Sequence, residues 1–254
     1  MELANAKDIV SPRRRELAGM VAERGFVRVG EASLELGVSE VTVRSDLAAL
    51  EAAGLITRVH GGAMPTTLSE PSLESSLDRQ AAAKTAIGRA AAALVTSGQA
   101  VYVDAGSTAM ALARALVARR ELHDLTVVTP GLTIALALEA ALPRFSVVVT
   151  GGTLRPLQHS LVNPFAAPML AALNLDLAFI GCNGIHPDAG VTNLNLPEAE
   201  IKTLAMRRSA RSIVLADATK LGRIELARIA ALDDFDALVT DGEFPVDGLT
   251  VVRA

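Results

Sequence analysis

The sequence predicts a multidomain chain, with a small, mostly α-helical N-terminal domain followed by an α/β domain built on a largely parallel sheet. Three observations predict it. The first 64 residues read as short helices with capping signals, ending in a Gly-Gly hairpin. A stretch rich in Pro, Ser and Thr follows from Pro65 to Ser76, which is linker composition. From Gln80 onward, short apolar runs alternate with helical stretches, the pattern of strands joined by crossover helices. The expected domains are 1–66 and 80–254, joined by a linker over 67–79.

The elements follow in order. Leu17, Met20 and Val21 form one stripe of a helix over 13–24, stopped by Gly25. A second short helix, 31–36, closes at Gly37. Ser39 is a good N-cap for a third helix, which runs to about Ala53 with Gly54 as its stop. Its Val43, Leu47 and Leu50 fall at i, i+4 and i+7 and face inward. Residues 55–59 read as a strand, and Gly61-Gly62 as a tight turn. In the second domain a helix over 81–94 leads into apolar runs at 100–103, 125–129, 146–150, 177–180, 212–216, 237–240 and 249–252.

Composition excludes several function classes. Half of the 254 residues are apolar, enough for a sizeable core. One Tyr and no Trp leave little for stacking single-stranded nucleic acid or RNA. The single cysteine, Cys182, rules out an intrachain disulfide and a Cys-rich zinc site, and reads as core filling. His123, His159 and His186 show no metal-ligand spacing, so no metal and no cofactor are expected. No signal-peptide pattern opens the chain and no apolar run reaches the roughly 18 residues of a membrane helix, so a cytoplasmic location without a membrane partner is expected. Net charge is −4, and residues 1–66 carry eight basic against nine acidic residues. A basic face for DNA must therefore come from placement rather than total charge.

The pattern from Gly37 to Leu47, GVSEVTVRSDL, makes a helix-turn-helix. With its apolar stripe inward, Glu40, Thr42, Arg44 and Ser45 face solvent or a partner, near the end of the helix that reaches base edges in a major groove. Arg44 suits a bidentate pair with guanine, or a phosphate. The backbone amides around Ser39 and Glu40 suit a phosphate as well. Arg58-Val59-His60-Gly61-Gly62 forms a wing, with Arg58 and His60 alternating outward and the glycines allowing close approach to a sugar-phosphate backbone. Arg13, at the start of the first helix, completes the candidate contacts to double-stranded DNA.

Here the sequence resembles the DeoR family of bacterial repressors. The matching residues are Val38-Ser39, Thr42-Val43-Arg44, Asp46-Leu47, Leu50-Glu51 and the wing from Arg58 to Ala63. The family usually has two consecutive arginines where this chain has Arg44-Ser45.

Ligands of open parallel sheets bind outside the carboxyl ends of the strands. Those ends are rich in glycine and hydroxyls, as suits a hydroxylated anion: Asp104-Ala105-Gly106-Ser107-Thr108, Thr129-Pro130-Gly131, Thr150-Gly151-Gly152, Gly181-Cys182-Asn183-Gly184, and Asp217 to Lys220. Ser107 and Thr108 open a helix, where amides and hydroxyls make a phosphate seat; the plainer reading is that Ser107 caps that helix. Lys202 and Lys220 could supply positive charge, and Asp217 with Lys220 reads equally as a structural ion pair or a ligand contact. The resemblance extends over this domain through Asp104–Thr108, Gly151-Gly152, 179–185, 190–192, Glu198-Ala199 with Lys202, and Asp217 with Lys220. It implies a domain similar to ribose-5-phosphate isomerase and the CoA transferases, one that binds a phosphorylated sugar or related metabolite and thereby releases a repressor from its operator. It also implies effector contacts at Asp104, Gly106, Ser107, Thr108 and Lys202; the strand ends add Thr129, Gly151, Gly152, Asn183, Glu198, Asp217 and Lys220. Two departures are Pro130, where the family commonly has Asn, and Asn163, where it has Gly.

The alternative is a sugar-phosphate isomerase with an appended DNA-binding domain. Such chemistry needs a carboxylate base beside the substrate carbonyl. Asn183-Gly184 stands where the isomerases carry acids, and Glu198 and Glu200 are the nearest carboxylates in sequence. The expected protein is a non-enzymatic regulator acting as a homodimer or homotetramer on a repeated or palindromic operator.

Overall fold

The computed structural model describes residues 11–24, 26–53, 55–59, 61–65, 71–245 and 248–254. It divides into two compact units, Met1–Ser69 and Glu70–Ala254. The predicted stops Gly25 and Gly54 lie outside the described residues, as does His60.

In the first unit α1 (Pro12–Arg24) is followed by β1 (Val27–Arg28), α2 (Val29–Leu36), α3 (Glu40–Ala52), β2 (Ile56–Val59) and β3 (Gly62–Pro65). Leu17 and Val21 of α1, Ala32 of α2, and Val43, Leu47 and Leu50 of α3 close one core. Ser39 caps α3 as its sequence position predicts: its Oγ accepts the Thr42 N–H at 3.2 Å. The strands order as β1-β3-β2, all antiparallel. β1 was invisible in the sequence, because two residues carry no periodicity, and it lets α2 start two residues earlier than predicted.

Asp46 shows how charge placement works here. It is buried, and accepts from Arg13 Nε at 2.6 Å and Arg14 Nε at 2.8 Å. The hydrogen bond from Arg13, aided by Arg14, holds its carboxyl below the usual pKa against the opposing effect of burial. Asp46→Ala is expected to cost the N-terminal unit about 1–3 kcal/mol, the penalty for stranding part-buried donors. Because the folded pKa is depressed, the contribution is complete above the ordinary carboxylate range and fades as pH falls through the depressed value. Urea unfolding followed by circular dichroism at neutral and acid pH checks this: the wild-type advantage over Asp46→Ala should shrink in acid.

The second unit opens with α4 (Leu73–Asp78) and α5 (Ala81–Ala92). Residues that read as linker therefore build a helix. Ser72 Oγ accepts the Ser75 N–H at 3.2 Å, so the serines act as cap and first turn. Buried Leu73 anchors the helix. The chain continues through β4 (Ala100–Val103), α6 (Ser107–Ala118), β5 (Leu125–Thr129), α7 (Leu132–Leu138) and β6 (Phe145–Val149). A hairpin follows, β7 (Thr153–Arg155) and β8 (Ser160–Val162), then α8 (Ala166–Ala171) and β9 (Leu175–Gly181). The remainder is β10 (Gly184–His186), β11 (Gly190–Asn193), α9 (Leu196–Arg207), β12 (Ser209–Leu215), β13 (Ala227–Ala230), β14 (Ala237–Thr240) and β15 (Thr250–Arg253).

The seven predicted apolar runs are the seven strands of one parallel sheet, ordered β15-β14-β12-β9-β4-β5-β6. Alternate residues face opposite layers. Val101 and Val103 pack on the α5–α6–α7 side with Ile87, Leu112 and Ile134. Tyr102 packs on the α8–α9 side with Leu170, Ile201 and Ala205. A three-stranded antiparallel sheet, β10-β11-β13, and the β7–β8 hairpin were not predicted, since their strands are only three or four residues long. Among the described residues no helix is long and apolar enough to cross a membrane.

Strand order positions the site. From β4 the chain runs outward to β5 and β6, then returns to β4's other side at β9 and runs outward again. The loops after β4 and β9 therefore diverge and leave a crevice at the carboxyl end of the sheet.

Candidate functional site

The N-terminal unit presents the start of α3 to solvent. Glu40, Val41, Arg44 and Ser45 are exposed and Thr42 is half-buried against Ser39, whose hydroxyl lies 2.9 Å from its own. Arg44 Nη2 sits 2.7 Å from Glu40 Oε2, an exposed pair one turn apart. Arg58 is tied through Nε to Glu51 Oε2 at 2.7 Å, and its backbone N–H to Glu51 Oε1 at 2.9 Å, which fixes β2 against α3. Arg13 is turned to Asp46. Gly61 is exposed at the turn. Gly62 is buried and has a packing reason of its own: a Cβ there would lie 2.3 Å from the Val27 carbonyl oxygen. Val41, which the apolar stripe of α3 does not include, is 73% exposed on the first turn of that helix.

In the second unit a cleft of about 340 Å³ opens between the loops after β4 and β9. Gly106, at φ +103°, is the N-cap of α6, and no side chain caps that helix. Ser107 is thus the first helical residue rather than a cap, and it lines the cleft with Gly106 and Thr108. Arg79, Lys84, Lys220 and Arg223 also line it. Lys84 is buried and donates through Nζ to the Ser76 and Arg79 carbonyls, both at 2.6 Å; burial lowers its pKa. Asp217 caps the turn Ala218–Lys220, accepting from the Thr219 N–H at 3.1 Å and from the Thr219 hydroxyl rather than pairing with Lys220.

A buried polar network also lines the cleft. Lys202 Nζ donates to Asp104 Oδ2 at 3.1 Å, the Gly181 carbonyl at 3.0 Å and Asn193 Oδ1 at 3.0 Å. An ammonium has three N–H groups, so these partners use all of them. Burial disfavours its charge, but Asp104 and Glu198 outweigh that and raise its pKa. Glu198 Oε1 accepts from Ser160 Oγ at 2.7 Å and pairs with Arg155. Burial would raise the Glu198 pKa; Lys202, Ser160 and Arg155 overcome this and hold it below the ordinary value. Asn183 lines the cleft, its Oδ1 accepting the Leu194 N–H at 3.1 Å. Desolvation pushes the Cys182 thiol up to about 12, which leaves it no nucleophile at neutral pH.

The topology brings Gly106, Ser107, Thr108, Asn183, Glu198, Lys202, Asp217 and Lys220 together, with Asp104 directly behind Lys202. It does not bring Thr129, Gly151 or Gly152 to this cleft. Those residues end β5 and β6, away from the β4–β9 crevice. Thr129 is buried, its Oγ1 accepting the Gly131 N–H at 3.0 Å, and a Cβ on Gly152 would collide with the Val162 carbonyl. Arg79, Lys84, Asn193, Gln158 and Arg223 were missed. Only the clustering of Arg79 and Lys84 before the helix-rich region could have signalled them. Asn163 donates to Glu200 Oε2 at 2.8 Å, joining the end of β8 to α9.

Residues 13–67 match the family model of the DeoR-like helix-turn-helix domain, and residues 79–242 that of the DeoR C terminal sensor domain. The HTH-type transcriptional regulator GolR of Listeria innocua is 35% identical over 236 residues, 91% of this chain and 90% of that one. The lactose phosphotransferase system repressor of Staphylococcus aureus is 32% identical over 235 residues, 91% of this chain and 92% of that one. Among solved structures, ribose 5-phosphate isomerase A from Methanocaldococcus jannaschii superposes with a TM-score of 0.42 at 17% identity, over 56% of this chain and 55% of that one.

Proposed function

The chain belongs to the DeoR family of DNA-binding transcriptional regulators, and on that premise we propose that it is a repressor of carbohydrate-metabolism genes, released from its operator by a phosphorylated sugar or related metabolite. The observation that carries the effector class is the mixed lining of the cleft. Arg79, Lys84, Lys220 and Arg223 line it together with the uncapped start of α6, which favours a phosphate. The same cleft offers the ionised Glu198 with Asn183 and Asn193, acceptors and donors for sugar hydroxyls. Relatives that match over nine-tenths of the chain are regulators, which favours this reading over an isomerase.

In this reading residues 1–66 read double-stranded DNA through Ser39, Glu40, Thr42, Arg44, Ser45, Arg58 and the Gly61-Gly62 wing, and residues 80–254 sense the effector. The protein works in the cytoplasm as a homodimer or homotetramer, matching paired half-sites. The effector must bind one arrangement of the protein better than the other, or nothing is released.

The test is a fluorescence titration of the full-length protein on the DNA upstream of its own gene, at stated salt. Ribose 5-phosphate, glucose 6-phosphate, fructose 1-phosphate and glycerol 3-phosphate are added in turn. Specific binding reversed by one of them is expected. Turnover of a sugar phosphate without specific DNA binding would overturn the proposal. The double variant Ser107→Ala, Thr108→Ala should keep its operator affinity and need roughly tenfold more effector for release, the loss of about one charge-assisted hydrogen bond. An unchanged response would place the phosphate elsewhere.

A further inference from the structure

We propose that Arg155 and Gln158, on the β7–β8 hairpin, are positioning residues that carry effector occupancy from Glu198 to the backbone of Pro71–Leu73, where the chain enters the sensing unit. The proposal rests on the reading above, in which the effector meets Glu198.

The hairpin touches both places. Where the strands run into the turn, Arg155 and Ser160 stand opposite one another in register, and both engage Glu198 Oε1. At its turn, the Leu157 carbonyl accepts the Leu73 N–H at 2.7 Å. Gln158 Nε2 donates to the Pro71 carbonyl at 2.6 Å, and His159 Nε2 lies 3.4 Å from Glu74 Oε1. Three contacts thus grip the segment that leads into α4. Residues 66–70, just before it, connect this segment in sequence to the DNA-binding unit.

The hairpin is built to pivot. β7 and β8 form a two-stranded sheet of their own, with Ser160 of β8 bridged to Gly131. An isolated pair of strands is marginal, so end contacts decide where it sits. The β8 side is pinned: Leu161 N–H donates to the Pro130 carbonyl at 2.8 Å, and the His159 carbonyl accepts the Leu132 N–H at 2.9 Å. β7 and the turn hang from this line, with Leu154 and Leu157 about half exposed. Glu198 Oε1 is already occupied by Ser160 and Arg155. A sugar hydroxyl that takes up Glu198 competes with Arg155, the end of β7 shifts against the pinned β8, and the adjoining turn moves with the Pro71–Leu73 backbone. The warrant is one element in contact with both sites, with a bond at each site that one ligand can exchange.

The first arm of the test needs no effector. Hydrogen exchange by mass spectrometry on the full-length protein compares wild type, Arg155→Lys and Arg155→Ala. The proposal expects the Leu73 amide to exchange at least tenfold faster in Arg155→Ala, with Arg155→Lys between the two and α5 unchanged. Equal Leu73 exchange in all three overturns it, whatever the effector proves to be. Uniformly faster exchange would mark Arg155 as a residue of general stability and also overturn it. The second arm uses Gln158→Ala with whichever of the four sugar phosphates releases the wild type. Operator affinity should stay within threefold of wild type. Because Gln158 also lines the cleft, ligand affinity is measured directly. Half-release should need at least tenfold more ligand than any loss of affinity explains, and a loss that merely matches the fall in affinity overturns the coupling. Normal release by Gln158→Ala overturns the coupling. If none of the four releases even the wild type, the effector reading fails separately, and the exchange arm still decides the hairpin.

Discussion

Lys202→Met is expected to destabilise the sensing unit by about 3–5 kcal/mol, the cost of leaving a buried charge without its partner. Asp104 is 2% exposed and loses the cation bonded to it, while the Gly181 carbonyl and Asn193 Oδ1 each lose a donor. At roughly 2–4 °C per kcal/mol for a unit of this size, the melting temperature should fall by about 10 °C. The double variant Asp104→Asn, Lys202→Met should recover part of the loss, because it removes both charges together. Since the folded pKa of Lys202 is raised, its contribution is complete below the ordinary lysine range and is lost only as pH rises through that raised value. Scanning calorimetry of the full-length variants between neutral pH and pH 10 checks both points, since the Lys202 contribution should stay undiminished over that whole range. A single-variant loss under about 1 kcal/mol would mean that the network is not what holds this wall. The sequence resemblance implies that Lys202 touches the effector; in the structure it lines the cleft and its three N–H groups hold Asp104, Gly181 and Asn193.

Arg44→Ala should weaken operator binding about 10- to 100-fold, the loss of about 1–3 kcal/mol for a bidentate base contact. The N-terminal unit should stay within about 0.5 kcal/mol of wild type, since an exposed i,i+4 pair such as Arg44–Glu40 contributes little. Glu40 holds that guanidinium in the free protein, so Glu40→Ala frees Arg44 while removing Glu40's own contact, and is expected to change operator binding less than Arg44→Ala. Titrations at several salt concentrations separate a base contact from a phosphate contact. Loss confined to the specific site marks a base, and a uniform loss with a salt slope lowered by about one marks a phosphate. A matching fall in thermal stability would make Arg44 a structural residue of α3.

What the sequence alone determined about this protein is local. Ser39 before Val43, Leu47 and Leu50 encodes a capped helix with one buried stripe, because cap and period act within a few residues of each other. The seven strands of the parallel sheet were legible for the same reason: strands buried on both faces read as apolar runs. The cleft-lining loop Gly106–Thr108 was legible as glycine and hydroxyls opening a helix. Tertiary structure decided the rest. The rule that ligands sit at strand ends nominates every strand end, and only the order β9-β4-β5 selects the pair of loops that part, keeping Ser107 and Asn183 and leaving out Thr129, Gly151 and Gly152. Arg13 meets Asp46 across 33 residues, and Ser160 meets Glu198 across 38. Such pairs leave no local period to read. They form because burial demands a partner for every charge, and the fold determines which one is within reach.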